Sequence, residues 1–180
     1  MGETGPMPFV RLATPREVKR QDFPQALIQF YAGNEAVEFE GLEYGSMYLH
    51  PLHEVERIGW AGVDPFNDCP EGWEKFDAFL IGGGCCFEKI LYVTHAPCCQ
   101  PGAILALRGN ISGPGGVGAF ALESSLVLAA NFSEWLRRLE EEGWWEYAIG
   151  GGILSLPVDH QRKLRTYYLA LNPDIEWPEP

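Results

Sequence analysis

Basic residues are scarce in this chain of 180 residues: Lys and Arg number 13 against 25 Asp and Glu, so the formal net charge is −12. A surplus of that size repels phosphate backbones and anionic membranes, which excludes nucleic acid and lipid headgroups as partners held by general electrostatics. Long apolar runs are missing as well. The best, 78–81 and 126–130, fall far short of the roughly 20 residues that cross a bilayer. The start, Met1-Gly2-Glu3-Thr4-Gly5-Pro6, carries neither the basic residues nor the apolar stretch of a secretory signal, and Pro6 stands where N-myristoylation needs Ser or Thr. The chain is therefore expected in the cytoplasm, where its five cysteines stay as reduced thiols.

Catalytic signatures are lacking too. His50-Pro51-Leu52-His53-Glu54 is not the His-Glu-x-x-His of a zinc protease. Gly109-Asn110-Ile111-Ser112-Gly113 has the wrong spacing for a nucleophile elbow. Gly113-Pro114-Gly115-Gly116-Val117-Gly118 could bring backbone amides near a phosphate, but no Lys-Ser/Thr follows. It reads as a loop. No enzyme activity and no cofactor are expected.

What is present is an ordinary globular composition, 46% hydrophobic and 21% charged, long enough to bury about 70% of its unfolded surface without staples. An apolar stripe of Leu27, Ile28, Phe30 and Tyr31 predicts a helix, capped by Asp22, with Pro24 in its first turn and Gly33 as its stop. Residues 37–39, 47–49, 76–81, 87–94, 103–108 and 126–128 read as short strands. The glycines at 82–84 are expected to break the third of these. Residues 51–58 are expected to make one or two helical turns, with Leu52, Val55 and Ile58 on one side.

The strongest helix follows Asn131 or Ser133 as cap, with Trp135, Leu136 and Leu139 inward and Arg137, Arg138 and Glu140 to Glu142 outward. Asp159 is expected to cap a last helix carrying Leu164, Tyr167, Tyr168 and Leu171. The fold expected is α+β: a single domain over 1–180, with a mixed, mostly antiparallel sheet and flanking N- and C-terminal helices. Its core spans about 20–149. Residues 150–180 form a C-terminal helical extension and an acidic, Pro-rich tail.

Three segments carry a family resemblance. Phe23-Pro24-Gln25-Ala26-Leu27-Ile28-Gln29-Phe30-Tyr31 with Gly33-Asn34 opens it, Phe79-Leu80-Ile81-Gly82-Gly83-Gly84 lies in the middle, and residues 128–139, Leu-Ala-Ala-Asn-Phe-Ser-Glu-Trp-Leu-Arg-Arg-Leu, close it. In order and spacing they resemble the SMI1/KNR4, or SUKH, superfamily over roughly residues 20 to 145. The resemblance implies a non-enzymatic interaction protein. Bacterial members are immunity proteins that bind and silence a toxin; fungal members are cell-wall regulators that act as interaction hubs.

The candidate binding residues come from an acidic stretch. Between 35 and 77 lie Glu35, Glu38, Glu40, Glu43, Glu54, Glu56, Asp64, Asp68, Glu71, Glu74 and Asp77, opposed only by Arg57 and Lys75, a local net of −9. Such runs ordinarily form a solvated face. Here Tyr44, Tyr48, Trp60, Phe66 and Trp73 are interleaved with the acids, and aromatics ringed by acids suit a hot spot facing a basic partner. The expected function is an immunity protein that occludes a cognate toxin with a basic surface, such as a nuclease. A regulatory scaffold is the alternative.

Cys85-Cys86, His95 and Cys98-Cys99 offer a third reading, as a metal or Cys–His site. Adjacent cysteines do not easily ligate one metal, and no Cys-x-x-Cys is present. Buried thiols that behave as small apolar residues are the simpler expectation, with no metal bound.

Overall fold

The computed structural model describes residues 9–12, 22–39, 47–63, 68–84, 89–107, 125–142 and 158–174. Along the chain run β1 (Phe9–Leu12), α1 (Gln25–Gly33), β2 (Asn34–Phe39), β3 (Met47–Leu49), β4 (Glu56–Gly59), the single turn α2 (Trp60–Val63), β5 (Asp77–Gly84), β6 (Lys89–His95), β7 (Ile104–Leu107), β8 (Leu126–Ala129), α3 (Phe132–Glu142) and α4 (Val158–Leu171). The fold is α+β. The strands form one sheet in the order β1-β2-β3-β5-β6-β7-β8, with β4 also paired to β5. Every pairing among the described strands is antiparallel.

Strand periodicity sorts side chains onto two buried faces. Ile90 and Tyr92 of β6, with Ile104 and Ala106 of β7, join one apolar cluster. Their neighbours Leu91, Val93, Leu105 and Leu107 join the other. The first cluster lies under the helices: Leu27 and Tyr31 come from α1, Phe132 and Trp135 from α3, and Tyr168 from α4. The second is closed by Ile58, Val63 and Phe76, with Trp60 and Trp73 against it. Two covered faces explain why β7 and β8 read as continuous apolar runs although the sheet is antiparallel. Each such Leu, Ile or Phe removed from water contributes about 1.5–3 kcal/mol.

The helix ends are set by local chemistry. α1 starts after Pro24, whose carbonyl accepts from the Ile28 N–H at 3.1 Å; no side chain caps it, so Asp22 is not the cap. It stops because the Asn34 side-chain amide donates to the Phe30 carbonyl at 2.8 Å, and Gly33 is merely its last residue. Asn131 caps α3, its Oδ1 accepting from the Glu134 N–H at 2.8 Å. Asp159 lies inside the first turn of α4, paired with Arg162 at 3.5 Å, and is not its cap.

β1 was not anticipated from the sequence; it is held by pairing to β2. Three expectations are corrected. Residues 51–58 do not form helical turns: after a turn at 52–54 the chain enters β4, and Ile58 reaches the core as a strand residue. β5 does not break at the glycines but runs through Gly84, because Gly82, Gly83 and Gly84 pair with β3. In α3, Arg138 is buried at 4% exposure and Leu136 only half-buried, since the inward ridge is Phe132, Trp135 and Arg138 at steps of three. The side chains of Leu139 and Leu164 lie outside the described residues, as does the loop expected at 111–118.

The C-terminal segment is tied into the same core. Tyr168 is fully buried. Asn172, just past α4, accepts from the Val127 N–H at 2.7 Å and donates to the Val127 carbonyl at 3.0 Å. Its amide thereby takes the place of another strand along the open side of β8, where unpaired backbone groups would otherwise be left.

Candidate functional site

β5 organises the site. One of its edges is taken by β6 throughout. The other is shared end to end by β3, opposite Gly82 to Gly84, and β4, opposite Asp77 to Leu80. β3 and β4 thereby bring residues 47–49 and 56–59 of the acidic stretch to one edge of β5. The first group sits where β3 turns into β4. Tyr48 is exposed at 38%, and its ring meets the His50 ring edge-on at 5.3 Å. His50 Nδ1 lies 3.1 Å from Glu54 Oε2, and His53 Nε2 lies 3.6 Å from Glu54 Oε1. Glu56 is exposed at the start of β4. The turn is fastened from below: the buried Tyr31 hydroxyl donates to the His50 carbonyl at 2.8 Å, and burial pushes that phenol well above its ordinary range.

The second group sits at the far end of β4, roughly 13 Å away at the rise of an extended chain. Trp60 and Trp73 meet edge-on at 5.8 Å, and Trp73 lies 5.4 Å from Phe76. Both indoles are half-buried against the second core cluster. They act as a lid on that cluster, each leaving part of its ring at the surface. Asp68, Glu71 and Glu74 stand exposed around this lid. The Glu74 carboxyl is held below the ordinary carboxylate range by its own backbone N–H and by that of Gly72, which donates to Oε1 at 3.0 Å.

Asp77 does not belong to the exposed row. Arg57 grips it with two parallel bonds, Nε to Oδ1 at 2.7 Å and a terminal nitrogen to Oδ2 at 2.8 Å. The Thr94 hydroxyl donates to the same carboxylate. These partners, Arg57 first, hold the Asp77 carboxyl below its ordinary range. Pairing Asp77 with Arg57 removes one charge of each sign, so the local excess of acid is unchanged. A depressed folded-state value means that the pair's stabilisation is complete above the unfolded value of about 3.9 and is lost as pH falls through the folded one. Asp77→Asn should therefore flatten the decline of stability with acid below about pH 4. Denaturant midpoints measured from neutral pH into that window check it.

Glu35 and Glu38 lie in β2, and the register sets Glu38 opposite Tyr48. Glu40, Glu43, Tyr44, Asp64 and Phe66 lie outside the described residues. The fold thus brings Tyr48, Glu54 and Glu56 together at one end of β4, and Trp60, Asp68, Glu71 and Trp73 at the other. The sequence reading gave no partner role to His50 or to Lys89. Lys89 donates to the Gly62 carbonyl at 2.6 Å and ties α2 to β6. The i, i+4 spacing of His50 and Glu54 was the available signal.

Of the cysteine set, Cys85 and Cys86 lie outside the described residues. His95 ends β6 and is exposed. Cys98 and Cys99 follow in the β6–β7 loop with Sγ atoms 3.8 Å apart. Among the described residues no group of three or more His, Cys, Asp or Glu side chains is placed to hold a metal ion. No described helix is long and apolar enough to cross a membrane. Comparison of the chain with protein-family models, with curated proteins and with solved structures finds no match.

Proposed function

We propose that this chain is a non-catalytic binding protein of the immunity type, which holds a cognate toxin by that toxin's basic surface. One observation carries the reading: Glu54 and Glu56 stand exposed with the exposed Tyr48 at one end of β4, and Asp68 and Glu71 stand exposed at the other. The SUKH-like order of the proline-led helix, the glycine-ended strand and the closing α3 supports it. A cleft that attracts phosphates must be basic, and an acidic edge of this kind competes for it by charge and blocks it by bulk. The long-range field sets how fast the two meet, and the aromatic contact sets how slowly they part.

The test is a kinetic binding assay against the product of the adjacent gene, run over a range of ionic strength. Screening over about 8 Å at physiological salt should slow association as salt rises. The triple variant Glu56→Lys, Asp68→Lys and Glu71→Lys should lower the on-rate by about tenfold or more and leave the melting midpoint in place, since all three are exposed. Tyr48→Ala should act on the off-rate instead, by about 2 kcal/mol. Affinity indifferent to salt and to all of these changes would overturn the reading.

A further inference from the structure

We infer that Cys98 and Cys99 form a redox-active dithiol, oxidised by small-molecule disulfides to a vicinal disulfide that marks the β6–β7 loop. The inference is independent of what the acidic edge binds. Three features of the loop carry it.

The first is proximity. The two Sγ atoms are 3.8 Å apart, within reach of an S–H···S contact, whereas neighbouring side chains on an extended strand point to opposite faces. The bend at 97–99 turns both thiols to the same side. The second is that the loop is pinned, so this arrangement persists. The Gly102 N–H donates to the Val93 carbonyl at 2.8 Å, and the Val93 N–H to the Ala103 carbonyl at 3.0 Å. The Ala103 N–H donates to the Gln100 carbonyl at 3.2 Å, and the Gln100 amide reaches the Ala130 carbonyl at 3.5 Å. Gly102 closes the turn at a φ of +92°, a left-handed conformation that suits glycine.

The third feature is asymmetry. Cys98 is exposed, while Cys99 rests half-buried against the second apolar cluster. The sulfur contact with Cys99 lowers the Cys98 pKa. The same contact, with burial, holds Cys99 protonated far above the ordinary thiol range. An exposed thiol of lowered pKa beside a half-buried partner of raised pKa is the arrangement of an attacking and a resolving cysteine.

The chemistry balances with a disulfide such as glutathione disulfide as oxidant. The Cys98 thiolate attacks one sulfur, forms a mixed disulfide and expels one glutathione thiolate. The Cys99 thiol then gives up its proton to solvent and attacks Cys98 Sγ, expelling the second glutathione. The dithiol loses two electrons and two protons; glutathione disulfide gains both and leaves as two thiols.

Wild-type protein treated with glutathione disulfide, alkylated and digested with trypsin gives a direct reading. Peptide 90–108 contains Cys98 and Cys99 and no other cysteine. An internal disulfide in that peptide, formed while Cys69 is still free, is the expected result. Cys99→Ser should stop the reaction at a stable glutathione adduct on Cys98. Cys98→Ser should slow modification of the peptide by about tenfold or more. Two free thiols in wild-type peptide 90–108 after Cys69 has reacted would overturn the inference. So would a wild-type glutathione adduct that never resolves. The wild-type map alone decides, whether or not either variant folds.

Discussion

Replacing Gly82 by alanine should lift β3 off β5 and lower the free energy of unfolding by about 3 kcal/mol. A Cβ built at Gly82 would stand 2.3 Å from the Tyr48 carbonyl oxygen, with Leu49 Cδ2 at 3.1 Å and Leu49 Cα at 3.2 Å behind it. Two of those three atoms are backbone, so no rotamer change relieves the clash. The crowding follows from the register. β5 carries an irregularity between Leu80 and Gly82 on its β6 side, and the strand approaches β3 closely there, where Leu49 pairs with Gly82. Gly33→Ala is the control. Nothing lies within 4 Å of its added methyl, and alanine at a compatible helical position stabilises by about 0.4–1 kcal/mol through the unfolded chain. Denaturant midpoints of the two variants should move in opposite directions. Because β3 carries Tyr48, Gly82→Ala should also weaken binding at the acidic edge, while the distant Gly33→Ala should not. An unchanged midpoint for Gly82→Ala would mean that β3 is not seated on β5.

Most of the sheet was legible because its signal is local. β3, β5, β6, β7 and β8 are short apolar runs bounded by Gly, Pro or polar turns, and no helix fits between those boundaries. What was missed depends on partners distant in sequence. Phe9-Val10-Arg11-Leu12 has no turn signal of its own and is a strand because β2 offers an edge. Glu56-Arg57-Ile58-Gly59 has helix-compatible spacing, but the free half of the β5 edge claims it as β4. The three glycines at 82–84 carry the breaker signal of a loop. In fact the strand runs through them, and at Gly82 the backbone of β3 comes too close for any Cβ.

The site was legible in composition and not in geometry. A run of acids with interleaved aromatics locates the β3–β4 side of the sheet without structure. Which of its members face solvent does not follow from that run. Asp77 is drawn out of the acidic row by Arg57, 20 residues away in sequence. Trp60 and Trp73 are drawn inward by a cluster that includes Leu91 and Val93 of β6, Leu105 and Leu107 of β7 and Val127 of β8. Tyr48 stays outside, because the face it would cover lies beside glycines that offer it no apolar neighbour.

Helix α3 provides the sharpest separation between two nearly equivalent sequence readings. Trp135 is fully buried; its ring lies 6.0 Å from that of Phe132, and both join the cluster beneath α1 and α4. Trp135→Ala should cost about 4 kcal/mol, the transfer of the lost ring plus the cavity it leaves. Leu136, partly buried on the flank of the same helix and packed against the same cluster, should cost only about 2 kcal/mol as Leu136→Ala, since part of its surface stays in water and a smaller cavity is left. Trp135→Phe separates shape from polarity. The indole Nε1 is buried and finds no partner among the described residues, and a buried donor left without a partner costs about 1–3 kcal/mol. Phenylalanine forfeits part of the ring but removes that donor, so Trp135→Phe should fall within about 1 kcal/mol of the wild type. The next turn inward explains why a charged residue is tolerated at such depth. The Arg138 guanidinium stacks 3.5 Å over the Tyr167 ring and lies 5.6 Å from that of Tyr168, cation–π contacts that offset the loss of water. Tyr167 is fixed by its own hydroxyl, which donates to Glu134 Oε1 at 3.1 Å, and burial pushes its phenol up to about 12. The order expected from thermal or denaturant unfolding is therefore Trp135→Ala below Leu136→Ala, with Trp135→Phe close to the wild type. Equal losses for Trp135→Ala and Leu136→Ala would mean that α3 presents the 136 and 139 positions inward after all, and that Arg138 lies on its solvent side.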